Sequence, residues 1–147
     1  MSSSALSIRT GRPADFAGLL AIDPIAREQA GRRGFLVEWL AQEQCRVAEE
    51  DGRLLGYAVL ERSFFGRDFV SLLMVAPDCR RRGIASALLR QARDDCRGDR
   101  LFTSCNRSNL PMRRLLEREG FQPSGVIDNL DEGDPELVFV RFLAPSR

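Results

Sequence analysis

Arg80, Arg81 and Arg82 stand directly before Gly83, and an amphipathic pattern of helical period follows them. A guanidinium group pairs with a carboxylate or phosphate through two parallel N–H donors. A helix opening near Gly83 adds unpaired backbone N–H groups and the positive end of its dipole. Gly83 lets an anion approach the backbone closely, and Ala85 keeps the next turn small. The chemistry within reach of this segment is anion binding, and phosphate suits it. The alternative is a plain connection between strand and helix whose arginines are merely solvated. The segment lacks Gly-Lys-Ser/Thr and Gly-x-Gly-x-x-Gly, so it is neither a P-loop nor a dinucleotide fingerprint.

Carriers for proton transfer are few. The 147 residues include no histidine, and all 22 basic side chains are arginine. That excludes lysine Schiff bases, a Ser-His-Asp triad and a histidine-based metal site. Carboxylates, the single Tyr57, cysteines, the N-terminus and water remain. Cys45, Cys79, Cys96 and Cys105 form no C-x-x-C pair, so no zinc or redox motif is indicated. The arginine bias reads as codon usage in a GC-rich genome. With 21 acids the net charge is only +1, which draws the chain to neither nucleic acid nor membrane, and eleven aromatics do not suggest a nucleic-acid surface.

These groups need a scaffold. The length fits one domain over residues 1–147, with 1–4 expected to be disordered. No signal-peptide pattern opens the sequence, and the longest apolar run, residues 69–77, is too short to span a bilayer. A cytoplasmic location with reduced thiols is the expectation. Strands are predicted over residues 6–9, 46–49, 54–61, 69–75, 101–104, 121–127 and 137–143. Helices are predicted from Pro13 to a stop at Pro24, and over 35–42, 83–96 and 109–119. Residues 31–34, rich in Arg and Gly, read as a flexible loop, and Asp51-Gly52 as a hairpin turn. The strand at 69–75 is apolar on both faces, which places it in the middle of a covered sheet. The order β-α-α-β-β-β-α-β-α-β-β gives a mixed α/β fold with helices flanking a central mixed sheet.

The wider context narrows the chemistry. Val75-x-Pro77-x-x-Arg80-x-x-Gly83-Ile84-Ala85-x-x-Leu88-Leu89 closely resembles the acetyl-CoA-binding motif of the GNAT superfamily of N-acyltransferases. Asn109-x-x-Met112-x-x-Leu115-Leu116-x-x-x-Gly120-Phe121 is similar to that family's second signature. The resemblance covers nearly the whole chain. It implies a splayed central sheet with coenzyme A's pantetheine slotted between two strands. Backbone groups of Leu73 and Val75 would bind pantetheine. Arg80, Arg81, Arg82, Gly83, Ile84, Ala85 and Ser86 would hold the pyrophosphate. Asn109 would contact the cofactor, cap its helix, or both, and Asn106 and Ser108 are further candidates. Acetyl-CoA would be the co-substrate, without a metal.

The implied reaction is direct attack of a neutral primary amine, on a small molecule or peptide, at the thioester. The family's frequent thiolate-protonating tyrosine is replaced here by Leu116. A thiol of pKa about 8.5 leaves readily unaided, so activity does not require that tyrosine. Tyr57 is a substitute acid or a packing residue, and Cys105 an acid or a buried filler. Glu61 is a candidate base, Ser71 could position a water, and a water chain is an equal alternative. Residues 128–136 hold five acids and no base. Asp128, Asp131 and Glu132 there would either attract a cationic amine or form a solvated turn. A non-catalytic acyl-CoA sensor is the competing reading, and the resemblance leaves a homodimer open.

Overall fold

The structure is a computed structural model describing residues 5–144. The disorder expected for residues 1–4 lies outside the described residues. Among the described residues there are seven strands: β1 Ser7–Thr10, β2 Cys45–Glu50, β3 Arg53–Phe64, β4 Arg67–Val75, β5 Arg100–Asn106, β6 Gln122–Ile127 and β7 Glu136–Phe142. Five α-helices accompany them: α1 Phe16–Ile22, α2 Pro24–Glu28, α3 Ala30–Ala41, α4 Ile84–Asp94 and α5 Leu110–Arg118. The strands run in the order β1-β2-β3-β4-β5-β7-β6, so β4 is central as its two apolar faces require. The chain divides into two compact units, Met1–Leu60 with Leu72–Ala92, and Glu61–Ser71 with Arg93–Arg147.

In the first unit, helices cover β1, β2 and the first part of β3. Leu19, Leu36, Leu40, Val47, Tyr57, Val59, Ile84 and Leu88 form its core. Two local expectations are corrected here. Pro24 does end α1, but it also starts α2, because the Asp23 carboxylate accepts from the Ile25 and Ala26 N–H groups at 3.1 Å each. Proline at the first helical position loses no hydrogen bond. Residues 31–34 are helical in α3 rather than looped. Their arginines explain the difference. Arg33 donates to the Ala26 and Arg27 carbonyls at 3.1 and 2.8 Å, and Arg32 pairs with Asp23 at 3.1 Å. The Arg33 guanidinium satisfies carbonyls at the end of α2 that would otherwise be left to water, and that of Arg32 pairs with the buried Asp23 carboxylate.

Gly56 on β3 sets the course of β4 in this unit. A Cβ at that position would lie 2.7 Å from the Met74 carbonyl oxygen and 3.3 Å from the Val75 Cα, both backbone atoms. The Ala76 N–H then donates to the Leu55 carbonyl at 2.7 Å. β3 can lie this close to the end of β4 only without a side chain at 56.

In the second unit, β4 and β5 pair in parallel over Asp68, Phe69 and Val70 with Leu101, Phe102 and Thr103. β5 and β7 pair antiparallel along all seven residues of each, and β6 closes the edge against β7. Thr103 is buried and donates its hydroxyl to the Val70 carbonyl at 2.9 Å. Asp68 is also buried, and it accepts from the Arg97 and Gly98 N–H groups at 3.1 and 3.0 Å. Phe64 stacks on Phe69 with centroids 4.6 Å apart and meets Phe102 at a tilt at 5.2 Å, so the three rings link three strands.

Replacing Gly56 by alanine should lower stability by about 1–3 kcal/mol, since backbone must move to admit the methyl group. Urea unfolding measures this. An unchanged midpoint would mean that β3 and β4 are not in the close register described.

Candidate functional site

The turn ahead of α4 grows out of buried anchors. A short 3-10 turn, Pro77–Cys79, follows β4, with Cys79 buried beneath it. Ile84, Leu88, Leu89 and Ala92 bury the inner face of α4. Between these anchors Arg80 to Gly83 are exposed. Arg81 and Gly83 both have left-handed backbone, with φ of 67° and 81°. Left-handed residues alternating with an ordinary one turn successive N–H groups to the same side, which is the geometry of an anion nest. A left-handed non-glycine residue carries strain of about 1 kcal/mol, and such strain gathers at ligand sites. A Cβ at Gly83 would meet nothing within 4 Å, so its side of the turn is open to a ligand.

The three arginines are not equivalent. Arg82 pairs with Glu50 at 2.7 Å, and behind the turn Arg53 grips Asp78 through contacts of 2.9 and 3.0 Å. Both pairs brace the turn from outside. Arg80 and Arg81 have no side-chain partner among the described residues, so their charge is uncommitted. Leu73 and Val75 precede the turn on β4 and are half-buried. These features fit a phosphate-bearing ligand: open backbone at Gly83, the first N–H groups of an eleven-residue helix, and two uncommitted guanidinium groups.

In the second unit Asn109 caps α5, its Oδ1 accepting from the Met112 N–H at 3.2 Å. That uses its oxygen and leaves its amide NH2 available. Asn106 and Ser108 are bound instead to the β6–β7 loop. Asn106 donates to Asp131 Oδ2 at 2.8 Å and to the Asp134 carbonyl at 3.1 Å. The Ser108 hydroxyl and N–H both donate to the Asp134 carboxylate, at 2.5 and 3.1 Å, and hold that carboxyl below its ordinary range. The Arg107 N–H completes the clamp on the Pro135 carbonyl at 2.9 Å. Of the three loop acids singled out from the sequence, Asp131 is engaged, while Asp128 and Glu132 are exposed.

The proton-transfer candidates are dispersed. Tyr57 is fully buried, its hydroxyl donates to Asp23 at 2.5 Å, and burial followed by that bond pushes its pKa up. A proton held this way is not free for transfer. Burial pushes the Cys105 thiol up to about 11, so giving its proton to a thiolate of pKa about 8.5 runs uphill. Leu116 is fully buried. Glu61 is half-buried on β3. The Ser71 hydroxyl on β4 is buried with no partner among the described residues, and such an orphaned group is a candidate to hold a water or a reacting atom. Sequence reasoning missed Gly56, the Asp23 cluster and the Asp134 clamp. Only Gly56 carried a signal, since a glycine inside a strand pattern marks close backbone approach.

The sequence profile of the Acetyltransferase (GNAT) family matches residues 16–121. This chain belongs to that family. It is an acyltransferase, and acetyl-CoA is the family's co-substrate. Among solved structures, an acetyltransferase of the GNAT family from Bacillus cereus ATCC 10987 is 30% identical, with a TM-score of 0.89, 96% of this chain and 99% of that one being covered. The Salmonella typhimurium protein yncA, solved with its cofactor acetyl-CoA, is 21% identical with a TM-score of 0.80, over 98% and 97% of the two chains. The ribosomal-protein-S18-alanine N-acetyltransferase of Escherichia coli is 17% identical with a TM-score of 0.82, over 97% of each. At these last two identities the likeness is one of fold. Comparison with curated proteins returned no match.

Tyr57→Phe separates packing from catalysis in this acetyltransferase. It should cost about 1–3 kcal/mol, because the buried Asp23 loses a donor. The turnover rate of the folded protein should stay within a few-fold of the parent. A loss of 100-fold or more in kcat with stability retained would make Tyr57 the acid.

Proposed function

We propose that this chain moves an acetyl group from acetyl-CoA to a primary amine of a small molecule or peptide, in a single domain over residues 1–147. The observation that carries the reading is the open, left-handed turn at Arg81 to Gly83 on the N-terminus of α4. The N–H groups of residues 81–86 and the guanidinium groups of Arg80 and Arg81 hold the pyrophosphate. Backbone groups of Leu73 and Val75 bind pantetheine and polarise the thioester carbonyl. Holding both reactants in line supplies much of the acceleration. The neutral amine forms a bond from its nitrogen to the carbonyl carbon, and the carbon–sulfur bond breaks. The nitrogen's surplus proton passes to Glu61 or to a water, which the orphaned Ser71 hydroxyl is suited to hold. The thiolate takes a proton from solvent, which its pKa permits without a dedicated acid. The setting we propose is the bacterial cytoplasm. No helix among the described residues is long and apolar enough to cross a membrane.

One observation favours a second reading. The buried Leu116 stands where the family's frequent acid would be, and a sensor that binds acetyl-CoA without turning it over needs no such acid.

Saturating acetyl-CoA should stabilise the protein, by about 2.7 kcal/mol at 100 times Kd, in a thermal-shift experiment. Gly83→Glu should remain folded and lose that response. Binding that survives the substitution would place the phosphates elsewhere, and no response in the parent would sink both readings. Thiol release over a panel of amines then separates them. Amine-dependent release supports the transferase, whereas tight binding without release on any amine supports the sensor.

A further inference from the structure

We propose that Thr103 is a positioning residue whose hydroxyl fixes how deeply an acyl-CoA enters along β4, and so limits the length of the acyl chain. The inference rests on the binding of acetyl-CoA proposed above.

Parallel pairing between β4 and β5 covers three residues of each, and its last pair is Val70 with Thr103. Beyond it β5 runs on through Ser104, Cys105 and Asn106, bonded to β7 on its other edge. A parallel ladder is slightly weaker per residue than an antiparallel one, so three pairs alone hold the end of the pairing only loosely. Side chains clasp it instead. At the start, the buried Asp68 carboxylate accepts from the Arg97 and Gly98 N–H groups just ahead of β5. In the middle, Phe69 and Phe102 are paired across the two strands, and both meet the Phe64 ring. Thr103 is the next residue of β5 and lies on the opposite face. It is 1% exposed and donates to the Val70 carbonyl at 2.9 Å, which pins the last pair. One residue further along β4, the Ser71 hydroxyl is buried with no partner among the described residues. An orphaned hydroxyl at the end of a ladder marks a place where water or a ligand completes the hydrogen bonding.

Length links this pin to the substrate. At about 3.3 Å per residue, the stretch of β4 from Ser71 to Val75 covers roughly 16 Å. An extended pantetheine arm is of comparable length. With the pyrophosphate held at residues 81–86, the thioester comes level with Ser71, and the acyl group meets the Val70–Thr103 pair. An acetyl group stops short of that pair. A longer chain has to part it, which breaks a buried hydrogen bond and leaves a carbonyl unsatisfied. Selection against longer acyl groups is then a property of the strand pairing itself.

Calorimetric titration of the full chain with acetyl-, propionyl- and butyryl-CoA tests this without an amine acceptor, and circular dichroism checks that each variant is folded. In the parent, Kd should rise about tenfold or more from acetyl-CoA to butyryl-CoA. Thr103→Val keeps the shape and removes the donor, and it should narrow that ratio to about threefold or less. Thr103→Ala should do the same, whereas Thr103→Ser retains a hydroxyl and should keep the parent ratio. A purely structural role would lower stability and leave the ratio unmoved. The proposal is overturned alone if the parent binds acetyl-CoA but does not discriminate, if folded Thr103→Val or Thr103→Ala keeps the parent ratio, or if Thr103→Ser loses it. A parent that binds none of the three would overturn it together with the reading beneath it.

Discussion

The contact between Gly56 and the end of β4 governs the path of the next ten residues. With no side chain at 56, the Met74 carbonyl and Val75 can lie against β3, and Ala76 bonds to Leu55. That fixes where β4 stops. Cys79 is then buried under the 3-10 turn, Ile84 is buried at the start of α4, and four residues must cross between these anchors. Arg81 and Gly83 cross this short span in left-handed backbone. A close strand contact is in this way followed by a turn whose backbone suits an anion nest.

Arginine does several different jobs in this lysine-free chain. Arg32 pairs with the buried Asp23, Arg33 holds the end of α2, Arg53 and Arg82 brace the turn through Asp78 and Glu50, and Arg80 and Arg81 leave their charge uncommitted. The planar fork suits each task, since it can satisfy two acceptors at once. On the other side of the charge balance, Asp131 and Asp134 clamp the turn that precedes α5. An acidic segment that looks like a solvated rim is in part a brace.

Strong periodicity makes most of the fold legible in the sequence. The two-faced apolar pattern of β4 places it centrally, and the stripe of Ile84, Leu88 and Ala92 defines α4. The turn proposed for phosphate is open to sequence reading because the need for Gly83 and for uncommitted positive charge is local. Residues 31–34 read as a loop because glycine and arginine weaken a helical pattern, while the bonds that make the segment helical go to Asp23 and the Ala26 and Arg27 carbonyls. Pro24 is only half legible, since a stop and a start share one residue when aspartate precedes it. Asp23 meets Tyr57 across 34 positions in sequence, and no spacing rule finds such a pair. The clamp from Ser108 to Asp134 spans 26 positions and is hidden for the same reason.

The chemistry divides along the same line. Cofactor binding, as proposed, rests on backbone geometry, which a short motif encodes, whereas proton transfer depends on groups brought together by tertiary structure. With Tyr57 tied to Asp23, Cys105 holding its proton and Leu116 apolar, water or Glu61 is what we propose for that half of the reaction. Everything proposed for catalysis requires that the amides of the turn hold acetyl-CoA. Hydrogen exchange of the backbone, with and without saturating acetyl-CoA, reads those amides one by one. Exchange should slow at residues 81–86 and at 73–75 when the ligand is present. Unchanged exchange there, with protection appearing only elsewhere in the chain, would contradict the proposed site.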